Sequence, residues 1–316
     1  ERSEKKARLD GSFSPSGLRG QSWDRPFLQK AAGRIGLLKE QGARHRVLLP
    51  KNLGSFQNLS ELLGLFEELM LRGMEKNIFS SDAVAAMNHL KRLQKQTRGD
   101  RVLQGRLETV MLKLGKVVKE GIHLLNAKNI ALALNAAAYR EGYDELFTVS
   151  VKRICELMQN DPNIRTQSLA MIINAFARRR LFPRELFEQI ALYAQRIPPD
   201  EYNAQSVAIC LNSVSKSPFP SSSLLDYMAI VTQQLDRRAW DTQSTALVLN
   251  SYARLNRREE DVFDTFVPII LSFGMKDFSS QNIANIVNAY AKVGKREEQV
   301  LQHMKRAVLC LQRDKC

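Results

Sequence analysis

The sequence predicts an all-α chain, a right-handed α-solenoid of ~38-residue helix-turn-helix repeats with an extended basic N-terminal arm. Three observations predict it. From about Ser55 onward apolar residues recur at helical spacing, as in Leu59, Leu62, Leu63, Phe66, Leu69 and Met70. Strand signals are absent, and aromatic residues make up only 7% of the chain. The sequence also repeats itself: Asn135, Asn174, Asn212, Asn250 and Asn288 stand 39, 38, 38 and 38 residues apart. A wholly helical period of roughly 20–50 residues is the signature of stacked helix pairs.

Residues 1–53 mix Gly, Ser, Pro and basic residues around isolated apolar positions such as Phe13, Leu18, Trp23 and Phe27. They read as an arm with at most one short helix, ordered only against a partner. Residues 54–125 read as a divergent start of the array with a basic insertion: Asn88 resembles the repeated Asn but precedes Asn135 by 47 residues. Five helical pairs follow, at about 126–163, 164–201, 202–239, 240–277 and 278–316. In the third, the spacing predicts a first helix over Asn203 to Ser217, a turn at Pro218-Phe219-Pro220, and a second helix over Ser222 to Arg237. In the second, Pro183 falls in a first helical turn, where proline is tolerated.

Four units carry Gln seven residues before the Asn (Gln167, Gln205, Gln243, Gln281), with Lys128 in the first. Ala131, Ala170, Ala208, Ala246 and Ala284 share one register, and Tyr202, Trp240 and Phe278 open three of the units. Wound at 100° per residue, Leu169, Ile172, Ile173 and Phe176 cluster on one face, as do Thr245, Val248, Leu249 and Tyr252; that face is core. Opposite it fall the Gln, the Asn and the residue four beyond the Asn, which reads Arg178, Lys216, Arg254 and Lys292, with Tyr139 in the first unit. Stacking would align these into a polar, basic stripe. Its amides could meet bases or sugars and its cations phosphates. The Asn and Gln could equally form an amide ladder between neighbouring helices, whereas a cation repeated in register has no packing reason to be there.

Charge is concentrated elsewhere too. The chain is formally +14, and residues 1–53 hold 12 Lys/Arg against 5 Asp/Glu, among them Arg19, Arg25, Arg34, Arg44 and Arg46. A second zone holds Lys91, Arg92, Lys95, Arg98, Arg101, Arg106, Lys113, Lys116 and Lys119 against only Asp100 and Glu108. One charge run is ordinarily a solvated face; two such zones favour a polyanion, because clustered cations release counterions from a phosphate backbone.

Several functions are excluded or unsupported. No stretch approaches the ~18 consecutive apolar residues of a membrane-spanning helix. Cys155, Cys210, Cys310 and Cys316 form no C-x-x-C pair and His45, His89, His123 and His303 are scattered, so no metal site or cofactor is expected. Reduced thiols, with Cys155 and Cys210 on apolar faces, fit a cytosol-like or matrix compartment. His89, beside Lys91 and Arg92, could touch phosphate but reads first as a lone surface histidine. Phosphate-binding, dinucleotide, zinc-protease and hydrolase-elbow motifs are missing, and the acidic run Glu259, Glu260, Asp261 and Asp264 reads as a helix start, where carboxylates suit the macrodipole. The chain reads as a non-enzyme without a small-molecule substrate. It begins at Glu1, which leaves open a removed targeting segment or a missing start.

The 38-residue step and the string Phe278-Ser-Ser-Gln-Asn-Ile-Ala-Asn-Ile-Val-Asn-Ala-Tyr-Ala-Lys292 resemble the octotricopeptide and heptatricopeptide repeat families, over residues 126–313. These are helical-pair proteins of mitochondria and plastids. The resemblance implies RNA binding in an organelle, in transcript stability, in processing or in the mitochondrial ribosome. Many relatives end in a RAP domain of nuclease-like shape; here only Arg313 to Cys316 follow the last helix, so no nuclease activity is expected. With the basic arm, the expectation is a structural component of the mitochondrial ribosome that contacts ribosomal RNA and neighbouring ribosomal proteins. The alternatives are an organellar RNA stability or processing factor and a protein-binding scaffold.

Overall fold

A computed structural model describes residues 36–40, 43–48, 53–258 and 260–313. Among them thirteen α-helices follow one another: α1 (Leu59–Leu71), α2 (Ser80–Leu93), α3 (Arg101–Glu120), α4 (Ala127–Ala137), α5 (Asp144–Asn160), α6 (Thr166–Arg178), α7 (Arg184–Ala194), α8 (Ala204–Val214), α9 (Ser222–Gln234), α10 (Thr242–Arg254), α11 (Glu260–Ser272), α12 (Ser280–Val293) and α13 (Glu298–Arg313). Helix starts recur because their caps do. Asn126, Asn203, Asp241 and Ser279 each accept a backbone N–H at the head of α4, α8, α10 and α12, replacing a bond that a helix end lacks. Short 3-10 turns at Pro199–Glu201, Arg237–Ala239 and Met275–Asp277 precede the buried Tyr202, Trp240 and Phe278.

Contacts join alternate helices. One row runs α2, α4, α6, α8, α10, α12; the other runs α1, α3, α5, α7, α9, α11, α13. The first row is the more tightly packed, and buried small residues such as Ala131, Ala170, Ser206, Ala208, Ser244 and Ala246 allow its helices to approach. Between the rows lie the sequence-assigned core residues: Leu169, Ile172, Ile173 and Phe176, and Thr245, Val248, Leu249 and Tyr252, are all buried. Tyr252 and Tyr290 donate their hydroxyls to the carbonyls of Leu225 (2.8 Å) and Phe263 (3.0 Å), tying each first-row helix to the preceding second-row helix.

The chain departs from expectation at several points. A hairpin pairs β1 (Gly36–Glu40) antiparallel with β2 (Ala43–Leu48), where no strand was expected. Its strands, of five and six residues, are too short to show periodicity. The remainder of the arm, with Arg19, Arg25 and Arg34, lies outside the described residues, as do Glu259 and the last three residues of the fifth repeat. In the divergent start, α2 takes first place in the tight row, and the basic insertion is the 20-residue α3. Pro183 is the cap before α7 and not within its first turn, and α8 and α9 end earlier than expected, at Val214 and Gln234. His89 is not on the surface: it is buried, and its Nε2 donates to the Phe56 carbonyl at 2.9 Å.

Helix exits share a left-handed residue: Arg180 (φ 56°), Asn256 (φ 55°) and Gly294 (φ 76°). Only the arginine lacks an intrinsic reason to be there. Arg180→Gly is expected to raise stability by about 0.5–1 kcal/mol, the left-handed cost of an L-residue less the entropy glycine loses on folding. A thermal melt that shows no gain would mean the exit is relaxed around Arg180.

Candidate nucleic-acid interface

The repeated cations sit at the exits of the tight row. Arg178, Arg254 and Lys292 occupy the last turns of α6, α10 and α12, and Lys216 lies two residues beyond α8; all four are exposed. This place supplies a reason that packing did not: a cation near a helix C-terminus is stabilised by the macrodipole, by about 0.3–1 kcal/mol. Lys91, in the last turn of α2, continues the line and donates its Nζ to the Asn135 carbonyl at 2.9 Å. Tyr139 occupies the remaining place, with the Arg178 guanidinium 4.4 Å from its ring centroid.

The electrostatics separate this row from the other cations. Among the described residues none of Lys91, Arg178, Lys216, Arg254 and Lys292 is in an ion pair, whereas nearby Arg140, Arg179, Arg257 and Lys295 pair with Glu108, Asp144, Asp226 and Asp264. Partial burial holds the Lys91 ammonium below the usual lysine range, with repulsion from Arg178 and Arg140 adding to it. Burial does the same at Lys216, reinforced by Arg254 and Arg178, and burial lowers Arg178. Lys91 and Lys216 therefore feel the cations of neighbouring helices.

The amides flank this line. Gln167, Gln205, Gln243 and Gln281 are exposed; Asn135, Asn174, Asn212 and Asn250 are half-buried, and Asn288, on the last helix of the row, is exposed. Among the described residues no hydrogen bond joins their side chains, and Asn135 and Asn212 act only through their backbone carbonyls. The amide ladder is thus not formed. Thr166 and Thr242 link the units instead, donating to the carbonyls of Glu201 (3.2 Å) and Asp277 (3.0 Å), and Asn282 donates to the Thr242 hydroxyl at 3.0 Å. Gln243 and Gln281 line an open cleft of about 490 Å³ between the heads of α10 and α12.

The basic zone of residues 91–119 divides by role. Arg106 pairs with both Glu67 oxygens at 2.8 Å, and Lys119 pairs with Glu145, so these two fasten α3 to α1 and α5. Arg92, Lys95, Arg98, Arg101, Lys113 and Lys116 are exposed. Arg44 and Arg46 lie on β2. The sequence reading missed the ion pairs Asp226–Arg257 and Asp264–Lys295, whose members recur 38 residues apart and could have been found from that step. Cys155 and Cys210 are buried, and burial pushes the Cys210 thiol up to about 12, which leaves it unreactive at neutral pH. No helix among the described residues is long and apolar enough to cross a membrane, and no group of three or more His, Cys, Asp or Glu there could hold a metal.

No protein-family model matches this chain, and no curated protein matches its sequence.

Proposed function

We propose that the chain is a right-handed α-solenoid of octotricopeptide or heptatricopeptide type that binds RNA without catalysing a reaction, as a structural component of the mitochondrial ribosome. The observation that supports this reading is the row Lys91, Arg178, Lys216, Arg254 and Lys292, five cations at the exits of five of the six helices of the tight row, with Tyr139 at the exit of α4, and without carboxylate partners among the described residues. Such a row holds unfavourable self-repulsion that a polyanion relieves. The exposed cations of α2 and α3 extend the positive surface beyond it. The ribosomal assignment rests on the basic arm, which suits threading between RNA helices, and on the repeat resemblance. In this reading the partners are ribosomal RNA and neighbouring ribosomal proteins in the mitochondrial matrix, or in a plastid, with no cofactor.

Anisotropy of a labelled single-stranded RNA across a salt series tests the binding. Five phosphate contacts give a slope of log affinity on log salt of about −3.5, or a loss on the order of 100-fold between 50 and 200 mM salt. A flat salt response would remove RNA from the reading and leave a protein-binding scaffold. Sedimentation from organelle lysate, with and without ribonuclease, then distinguishes a ribosomal subunit from a light particle carrying one transcript.

A further inference from the structure

Tyr139 stands where the other units present a cation, and it is 65% exposed although the Arg178 guanidinium covers one face of its ring. An aromatic ring left that open gains little from the core. Its surroundings are positive: Arg178 and Arg140 are both near enough to Lys91 for their charges to act on its ammonium, and although Arg140 is paired with Glu108, Lys91 and Arg178 have no carboxylate partner among the described residues. A cationic guest, such as an arginine or lysine of a protein, is repelled there. A neutral flat ring joined to an anionic backbone is attracted on both counts. Lys91 uses only one of its three N–H donors on Asn135, so its ammonium retains donors for a phosphate.

Resting on the RNA-binding reading above, we propose that Tyr139 stacks one unpaired base of the bound strand on its open face. Arg178 holds the ring from the other face through the cation–π contact, and Lys91 and Arg178 meet the flanking phosphates. A base within a duplex already has both faces covered, so this site accepts single-stranded RNA or a bulged nucleotide. Tyr139 is thereby a specificity-determining residue: the cation row attracts any polyanion, and this ring selects for an unstacked base.

The test uses the full chain, a single-stranded oligoribonucleotide carrying 2-aminopurine, and an RNA duplex of equal length. Tyr139→Leu should weaken single-strand binding about 5- to 150-fold, the usual range for one stacked base, with the salt slope and duplex affinity unchanged. Tyr139→Phe should bind like the parent, and both parent and Phe variant should quench 2-aminopurine fluorescence while the Leu variant does not. Equal thermal midpoints for all three exclude a folding effect. Tyr139→Leu binding as tightly as the parent, or weakening single strand and duplex equally, would overturn the proposal while leaving RNA binding intact. A parent chain without salt-dependent RNA binding would overturn both.

Discussion

Replacing Arg178, Lys216, Arg254 and Lys292 together by Glu is expected to abolish RNA binding at moderate salt. With each phosphate contact contributing about 0.7 to the salt slope, four lost contacts correspond to a loss on the order of 10²–10³-fold at 0.1 M salt, and charge reversal adds repulsion. The milder replacement of all four by Gln should lose the contacts without that repulsion and shallow the slope by about 3. Stability moves much less: three of the four lie in last helical turns, where each cation contributes about 0.3–1 kcal/mol, and the repulsion of Lys216 by Arg254 and Arg178 offsets part of it. Circular dichroism melts should therefore show folded variants with modestly lowered midpoints. Unchanged affinity in the Gln variant would move the RNA site away from this row, to the exposed cations of α2 and α3 or to the arm.

What the sequence made legible was whatever depends on neighbours within one helix. The starts of α4, α6, α8, α10 and α12 follow the 39, 38, 38, 38 step because Asn, Asp or Ser caps four of them and an apolar face follows each. The exposure of Arg178, Lys216, Arg254 and Lys292 follows from the same winding. What was not legible depends on residues far apart in the chain. Arg106 and Lys119 look like free members of a basic zone until Glu67 and Glu145 arrive from 39 and 26 residues away. His89 is drawn inward by a carbonyl 33 residues earlier. The macrodipole was missed for a different reason: it depends on where α6, α10 and α12 end, and helix ends are less sharply encoded than helix faces.

Phe266→Ala is expected to cost about 3–5 kcal/mol, as removal of a fully buried aromatic ring does elsewhere. Phe266 is 0% exposed on α11 and meets Trp240 edge-on, with centroids 4.8 Å apart at 82°. Trp240 is itself buried and its Nε1 has no hydrogen-bond partner among the described residues, so the indole is held by packing. The helix that carries Phe266 is also weak in its own right, because Pro268 lies inside it and removes a backbone donor. Local propensity therefore opposes α11 at the point where its side chains must hold it in place, and tertiary packing decides the outcome. Since a domain's net stability is typically about 5–15 kcal/mol, this loss should lower the urea midpoint sharply and shift Trp240 emission to the red before global unfolding. Phe266→Leu keeps apolar volume but loses the edge-to-face contact, itself worth about 0.5–1.5 kcal/mol, and should fall between the two. A cost below about 1 kcal/mol for Phe266→Ala would mean that the two rows hold together without this ring, against what its complete burial requires.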